Sequence, residues 1–201
     1  ADKANYLKVF DEGAMKVDST TKPDLIDQTL GNIVESRPEE FLQTFDNPYY
    51  KEAVKLSELI VKNGYGVITG GGPGIMEAGN KGAYKSKEGS VGLTIQLPFE
   101  ATANDYIDEL VDCRYFFTRK VFFLKYAQAF VAFPGGFGTF DELFETLTLI
   151  QTGHMRKVPI VLVGKDYWKG LIDWIKKVVL KKEANISEKD LDLFIVVDTA
   201  E

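Results

Sequence analysis

The sequence predicts an α/β protein with a doubly wound parallel sheet and helices on both faces. Three observations carry that expectation. From Asn47 onward, short apolar runs alternate with amphipathic stretches. The runs are apolar throughout, as in strands buried on both faces. Two glycine clusters each follow such a run and precede a helical stretch. In open sheets of this kind, ligands gather outside the carboxyl ends of the strands.

The elements follow in order. Asn47-Pro48 opens a helix, with proline at the first helical position. The helix runs to about Lys62 with Ala53, Leu56, Leu59 and Ile60 on one face, and Asn63-Gly64 ends it. Tyr65 to Thr69 reads as a strand, and a helix runs from about Gly74 to Lys85. Val91 to Leu97 is the next strand, stopped by Pro98, and Leu110 to Cys113 is a short one. Thr118 to Ala127 is a helix, and Ala129 to Phe133 a strand. A helix from Thr139 to about Thr152, a strand at Pro159 to Val163, an amphipathic helix from Tyr167 to Lys181 and a strand at Phe194 to Val197 complete the alternation. Cys113, Trp168 and Trp174 are expected in the core. The aromatics Tyr115, Phe116, Phe117, Phe122 and Phe123 are too many for one small core face. Core packing is expected for most of them, and a dimer contact or base stacking for the rest.

Residues 1–46 stand outside this pattern. They are expected to form an N-terminal helical extension, with helices at Pro23 to Glu35 and Pro38 to Phe45, and residues 47–201 to form the sheet domain. A doubly wound domain normally opens on a strand. Leu7-Lys8-Val9-Phe10 is the one candidate before Pro48.

Composition narrows the function. The chain has 201 residues, 45% of them apolar and 27% charged, which suits a globular domain and excludes wholesale disorder. A net charge of −6 is the wrong sign for a protein devoted to nucleic-acid phosphate. A single cysteine, Cys113, excludes an internal disulfide and any cysteine-rich metal centre. A single histidine, His154, excludes zinc sites that need two or more. It reads as a loop or interface residue. No metal and no cofactor are expected. Charges interrupt every long apolar run, so no membrane span is expected, and a cytoplasmic location is the default.

The glycine clusters are Thr69-Gly70-Gly71-Gly72-Pro73-Gly74 and Pro134-Gly135-Gly136-Phe137-Gly138-Thr139. Neither has the spacing of the dinucleotide fingerprint, and neither is a P-loop. Both still place flexible backbone between a strand end and a helix start. There the amides and the positive end of the helix dipole suit a phosphate. Thr139 caps the helix or donates its hydroxyl to that anion. Either cluster alone is also consistent with a plain tight turn, whereas two in one sheet favour a nucleotide-like ligand.

Asp141 and Glu142 follow the second cluster. Asp141 suits the helix dipole, and Glu142 is placed either for a capping box with Thr139 or for chemistry on a phosphate-bound sugar. Arg119-Lys120 lies near a helix start, where cations oppose the dipole. An anionic ligand would account for them, and a solvated surface pair is the plainer alternative.

These residues resemble the LOG family, the nucleotide-cleaving enzymes that activate cytokinins, long labelled possible lysine decarboxylases. The resemblance rests on Gly70 to Ala83 (GGGPGIMEAGNKGA), the Arg119-Lys120 pair and Pro134 to Glu142 (PGGFGTFDE), and covers roughly Pro48 to Val197. The long GGGPGIMEA form looks more like the bacterial branch than the short plant enzymes. The resemblance implies a Rossmann-like fold, a homodimer and phosphoribohydrolase activity. A nucleoside 5′-monophosphate such as AMP or a cytokinin riboside 5′-monophosphate would be hydrolysed to free base and ribose 5-phosphate. It implies Arg119 and Glu142 as the catalytic pair. It implies Gly71, Gly72, Glu100, Lys120, Gly135, Gly136, Phe137, Gly138, Thr139 and Asp141 as substrate-binding residues, with Glu100 equally readable as an ordinary loop glutamate. The family's opening strand and small-residue pocket loop have no recognisable counterpart here. A non-catalytic nucleotide or cofactor carrier of the same fold is the alternative, since fold does not decide function. A pyridoxal-phosphate decarboxylase is disfavoured, because His154 is poorly placed to stack on such a cofactor.

Overall fold

A computed structural model describes residues 47–95 and 103–200. The expected helical extension at residues 1–46 and the expected site residue Glu100 lie outside these. So does the end of the expected Val91–Leu97 strand.

Helix α1, Pro48–Lys62, starts as the sequence indicates: the Asn47 side chain accepts the Tyr49 amide at 2.9 Å and proline occupies the first turn. Gly64, at φ +84, takes the left-handed conformation that turns the chain out of the helix. Strand β1, Val67–Thr69, leads into the first glycine turn and then α2, Ile75–Ala83. Small residues let α1 and α2 pack closely. A β-carbon on Gly82 would overlap the Val54 carbonyl oxygen, and one on Gly79 would stand 3.1 Å from Thr69 Cγ2.

Strands β2, Ser90–Ile95, and β3, Glu109–Cys113, extend a parallel sheet in the order β1-β2-β3. Helix α3, Phe116–Tyr126, and strand β4, Phe130–Ala132, follow. Helix α4, Phe137–Gln151, strand β5, Ile160–Val163, helix α5, Lys165–Trp174, and strand β6, Phe194–Val197, complete the order. The second parallel sheet is β4-β5-β6. The doubly wound order places its opening strand between the two halves. Among the described residues no strand precedes α1, and correspondingly no ladder joins β1 to β4.

Strand side chains alternate between faces, and the core records it. Ala132, Ile160 and Leu162 pack with Leu143 and Ile150 of α4 and Trp168 of α5. Val131, Phe133, Val161 and Val163 pack instead with Tyr50 and Ala53 of α1 and Ala78 of α2. Helices therefore cover both faces, and the fold is α/β with parallel sheets.

Three details differ from expectation. None of Tyr115, Phe116, Phe117, Phe122 and Phe123 is buried in the core, because α3 has no fully buried face, and Phe116 and Phe117 are more than half exposed. Trp168 is fully buried and donates Nε1–H to the Val163 carbonyl at 2.9 Å, but Trp174 is half exposed. At about 3.6 residues per turn, six residues carry Trp174 to the other side of the helix. Ile175 takes the inward place, at the start of a π-helical continuation over Ile175–Lys182. Helix α4 also begins two residues early. Gly136 is its N-cap, so Thr139 lies inside the first turn, makes no cap bond and forms no capping box with Glu142. Cys113 is buried in β3 as expected. Among the described residues, no helix is long and apolar enough to cross a membrane.

Candidate functional site

Helix α3 starts three residues after β3 ends, which puts Arg119 near the carboxyl end of the first sheet. Its guanidinium lies between the rings of Phe116 and Phe123, 5.7 Å from each centroid. It also reaches the first glycine turn: a β-carbon on Gly70 would stand 3.8 Å from Nη2 and 2.6 Å from Met76 Sδ. Glycine at that position leaves room for both side chains. The turn continues through Gly71, at φ +76, whose backbone lies against Gly92 of β2. The Arg119 Nε is buried and has no hydrogen-bond partner among the described residues.

Lys120 points elsewhere, because adjacent helix residues diverge by about 100°. Its ammonium stands 2.7 Å from Asp141 Oδ1 and 3.0 Å from Glu145 Oε2. Those bonds raise its pKa, the Asp141 hydrogen bond most. Asp141, expected as a substrate contact, thus joins Lys120 in tying α3 to α4. Glu145 was not singled out from sequence, although it lies one helical turn beyond Asp141.

Glu142 occupies the second turn of α4, beside the buried Leu143. Burial pushes its carboxyl pKa up, Arg119 opposes that shift, and Glu145 adds to it. Its Oε2 is buried with no hydrogen-bond partner among the described residues, and no direct ion pair there joins it to Arg119. A desolvated acid and a guanidinium that feel each other's charge without touching leave polar capacity for a third group.

In the second glycine turn, a β-carbon on Gly135 would collide with Thr139 Oγ1, so the Thr139 hydroxyl sits over that backbone. The Gly135 carbonyl accepts the Tyr167 hydroxyl at 2.6 Å, a contact across 32 residues that no local pattern announces. The β-carbon positions of Gly136 and Gly138 face open space. Phe137 is 94% exposed. An open groove of about 580 Å³ runs along α4, lined by Lys120, Phe137, Phe140, Asp141 and Phe144 among others. A second hollow, of about 370 Å³, lies on α1 and α2, and none of the expected site residues lines it. Among the described residues, no group of three His, Cys, Asp or Glu side chains is placed to hold a metal. His154 is exposed just past α4, 3.0 Å from Thr152 Oγ1.

These features define an α/β protein with two glycine turns at strand ends, a guanidinium, Arg119, beside the first and a desolvated acid, Glu142, on the helix that follows the second. Comparison with known proteins names the family. The family described as "Possible lysine decarboxylase" matches residues 76–201. Cytokinin riboside 5′-monophosphate phosphoribohydrolase LOG3 of Arabidopsis thaliana is 30% identical over 156 residues, covering 76% of this chain and 71% of the relative. LOG4 of the same plant is 31% identical with the same coverage. LOG7 is 32% identical over 66% of this chain and 62% of the relative. The chain belongs to the LOG family. Among solved structures, the molybdenum cofactor binding protein of Rippkaea orientalis matches with a TM-score of 0.56 at 18% identity, covering 77% of this chain and 82% of that one. The molybdenum cofactor carrier protein of Chlamydomonas reinhardtii matches at 0.55 and 20%, covering 76% and 81%. Those likenesses show the fold.

Proposed function

We propose that the protein is a nucleoside 5′-monophosphate phosphoribohydrolase acting on AMP or a cytokinin riboside 5′-monophosphate. The observation that carries this reading is Glu142: desolvated, with one carboxylate oxygen unpartnered among the described residues, and held in the field of Arg119. Hydrolysis of an N-glycosidic bond builds positive charge on the ribose C1′ and ring oxygen. Glu142 would stabilise that charge and orient or deprotonate the attacking water. The water oxygen bonds to C1′, the C1′–N bond breaks, its electron pair leaves with the base, and the water proton ends on the base. Arg119 would hold the phosphate or offset the negative charge growing on the leaving base. The amides that open α4, from Gly136 to Thr139, suit the 5′-phosphate, so that binding away from the reacting bond orients the ribose.

The reading extends to a homodimer. Phe116, Phe117 and Val121 on α3 are each more than half exposed, an apolar face that a second copy would cover.

The test is release of free base from AMP and from a cytokinin riboside 5′-monophosphate. Glu142→Gln and Arg119→Ala, each folded, should lose activity on the order of 1,000-fold. Wild-type turnover by either variant removes that residue from the mechanism. A wild-type protein that binds the nucleotide tightly and releases no base is instead a carrier.

A further inference from the structure

The first glycine turn is fastened from behind by two side-chain amides, one buried and one partly buried. Asn80, on α2, is fully buried. Its Oδ1 accepts the Thr69 hydroxyl at 2.5 Å and Asn104 Nδ2 at 3.0 Å. Its Nδ2 donates to Ser90 Oγ at 2.9 Å and to the Val91 carbonyl at 3.2 Å. Asn104 also reaches the turn. Its Nδ2 lies 3.0 Å from the Gly71 carbonyl and 3.1 Å from that of Gly72, and its backbone N–H donates to Gly71 O at 2.9 Å. Thr69 Oγ1 accepts the Gly71 amide at 3.0 Å. Elements 33 residues apart thus converge on Gly71 and Gly72.

The direction of these bonds matters. In a trans peptide the carbonyl and the following N–H point opposite ways. Holding the Gly71 carbonyl inward therefore turns the Gly72 amide outward, and that amide has no hydrogen bond to a described residue. The Gly72 carbonyl is held inward too, and Pro73 has no N–H to present. Gly70, two residues before Gly72, lies beside Arg119. The network therefore turns the Gly72 N–H outward from the turn that Arg119 approaches.

We propose that Asn104, backed by Asn80, is a positioning residue that aims the Gly72 amide at the bound nucleotide without touching it. This rests on the nucleotide reading above and adds to it a residue outside the recognised motifs. Asn80 is too central for a clean test, because its loss would leave several buried groups unpaired. Asn104 is only partly buried and suits substitution.

The experiment uses the whole chain with Asn104→Ala and Asn104→Leu. Leucine keeps the branched outline of asparagine, removes its hydrogen-bonding groups and adds no charge. Both variants should raise KM for AMP about tenfold and weaken inhibition by ribose 5-phosphate by the same factor, with kcat within about threefold of wild type. A space-filling role predicts that leucine restores KM, and that result overturns the proposal, as does an unchanged KM in both variants. If wild type releases no base from any nucleoside monophosphate, the hydrolase reading fails by itself. AMP affinity by calorimetry then decides: tenfold weaker binding by both variants supports the positioning role, whereas equal affinity, or no binding by wild type, overturns it.

Discussion

The two glycine turns look alike in sequence and are held by different physics. The first is bound from behind by Asn104, Thr69 and Asn80, and Gly71 sits in a left-handed conformation against β2. The second is pinned at one carbonyl by Tyr167, and its Gly136 and Gly138 face open space. A glycine can be needed because protein atoms crowd it or because nothing does. In the first case the residue serves the fold, and in the second it leaves room for something else.

Substitution by alanine should separate these cases. Gly71→Ala forces a β-carbon into the left-handed region and to 2.8 Å from Thr94 Cγ2. It should cost on the order of 2 kcal/mol of stability, read as a drop in Tm of about 4–8 °C. Gly136→Ala, at φ −95 and with no atom within 4 Å, should leave Tm within about 1 °C while raising KM for AMP several-fold. Equal losses of Tm in the two variants would erase the distinction.

A smaller effect concerns pH. Burial raises the Glu142 pKa over the opposing charge of Arg119. A carboxyl whose folded pKa is raised contributes stability that is fully present below the ordinary glutamate range. That contribution is lost as pH rises through the raised folded value. At neutral pH the ionised side chain is therefore a net cost to the fold. Glu142→Gln should match wild type in Tm near pH 4 and exceed it near pH 7, by on the order of 2 °C, while losing activity. A variant less stable than wild type at pH 7 would show that Arg119 outweighs the burial.

Much of the fold was legible because it rests on local signals. The Asn47-Pro48 start of α1 and the bounds of β6 agree with the sequence pattern, since a cap and an apolar run are written in consecutive residues. The start of α4 was misplaced because Thr139 is a good cap residue on paper, whereas the backbone caps itself at Gly136. Trp174 reads as core from its apolar character, yet six residues after Trp168 in the regular part of α5 the helical period already carries it away from the core. At the site, the motifs named Arg119 and Glu142. Lys120 also meets two carboxylates, Asp141 and Glu145, and that pairing across two helices is not written in consecutive residues. Asn104 and Tyr167 left no trace, because hydrogen bonds across more than 30 residues have no period.

The smallest expected effect probes the tether of the second turn at Tyr167. Tyr167 is partly exposed, and its hydroxyl donates to the Gly135 carbonyl while its ring packs edge-on against the buried Trp168. Tyr167→Phe removes the hydrogen bond and keeps the ring, so Trp168 stays covered. The freed carbonyl can turn to water, which limits the cost to about 0.5–1 kcal/mol. Because the turn then loses a side-chain anchor, the one that the described residues supply, KM for AMP should rise two- to threefold with kcat unchanged. A larger penalty, comparable to that of Asn104→Ala, would mean that the second turn is as rigidly held as the first. Its openness around Gly136 would then reflect shape alone and not freedom to move.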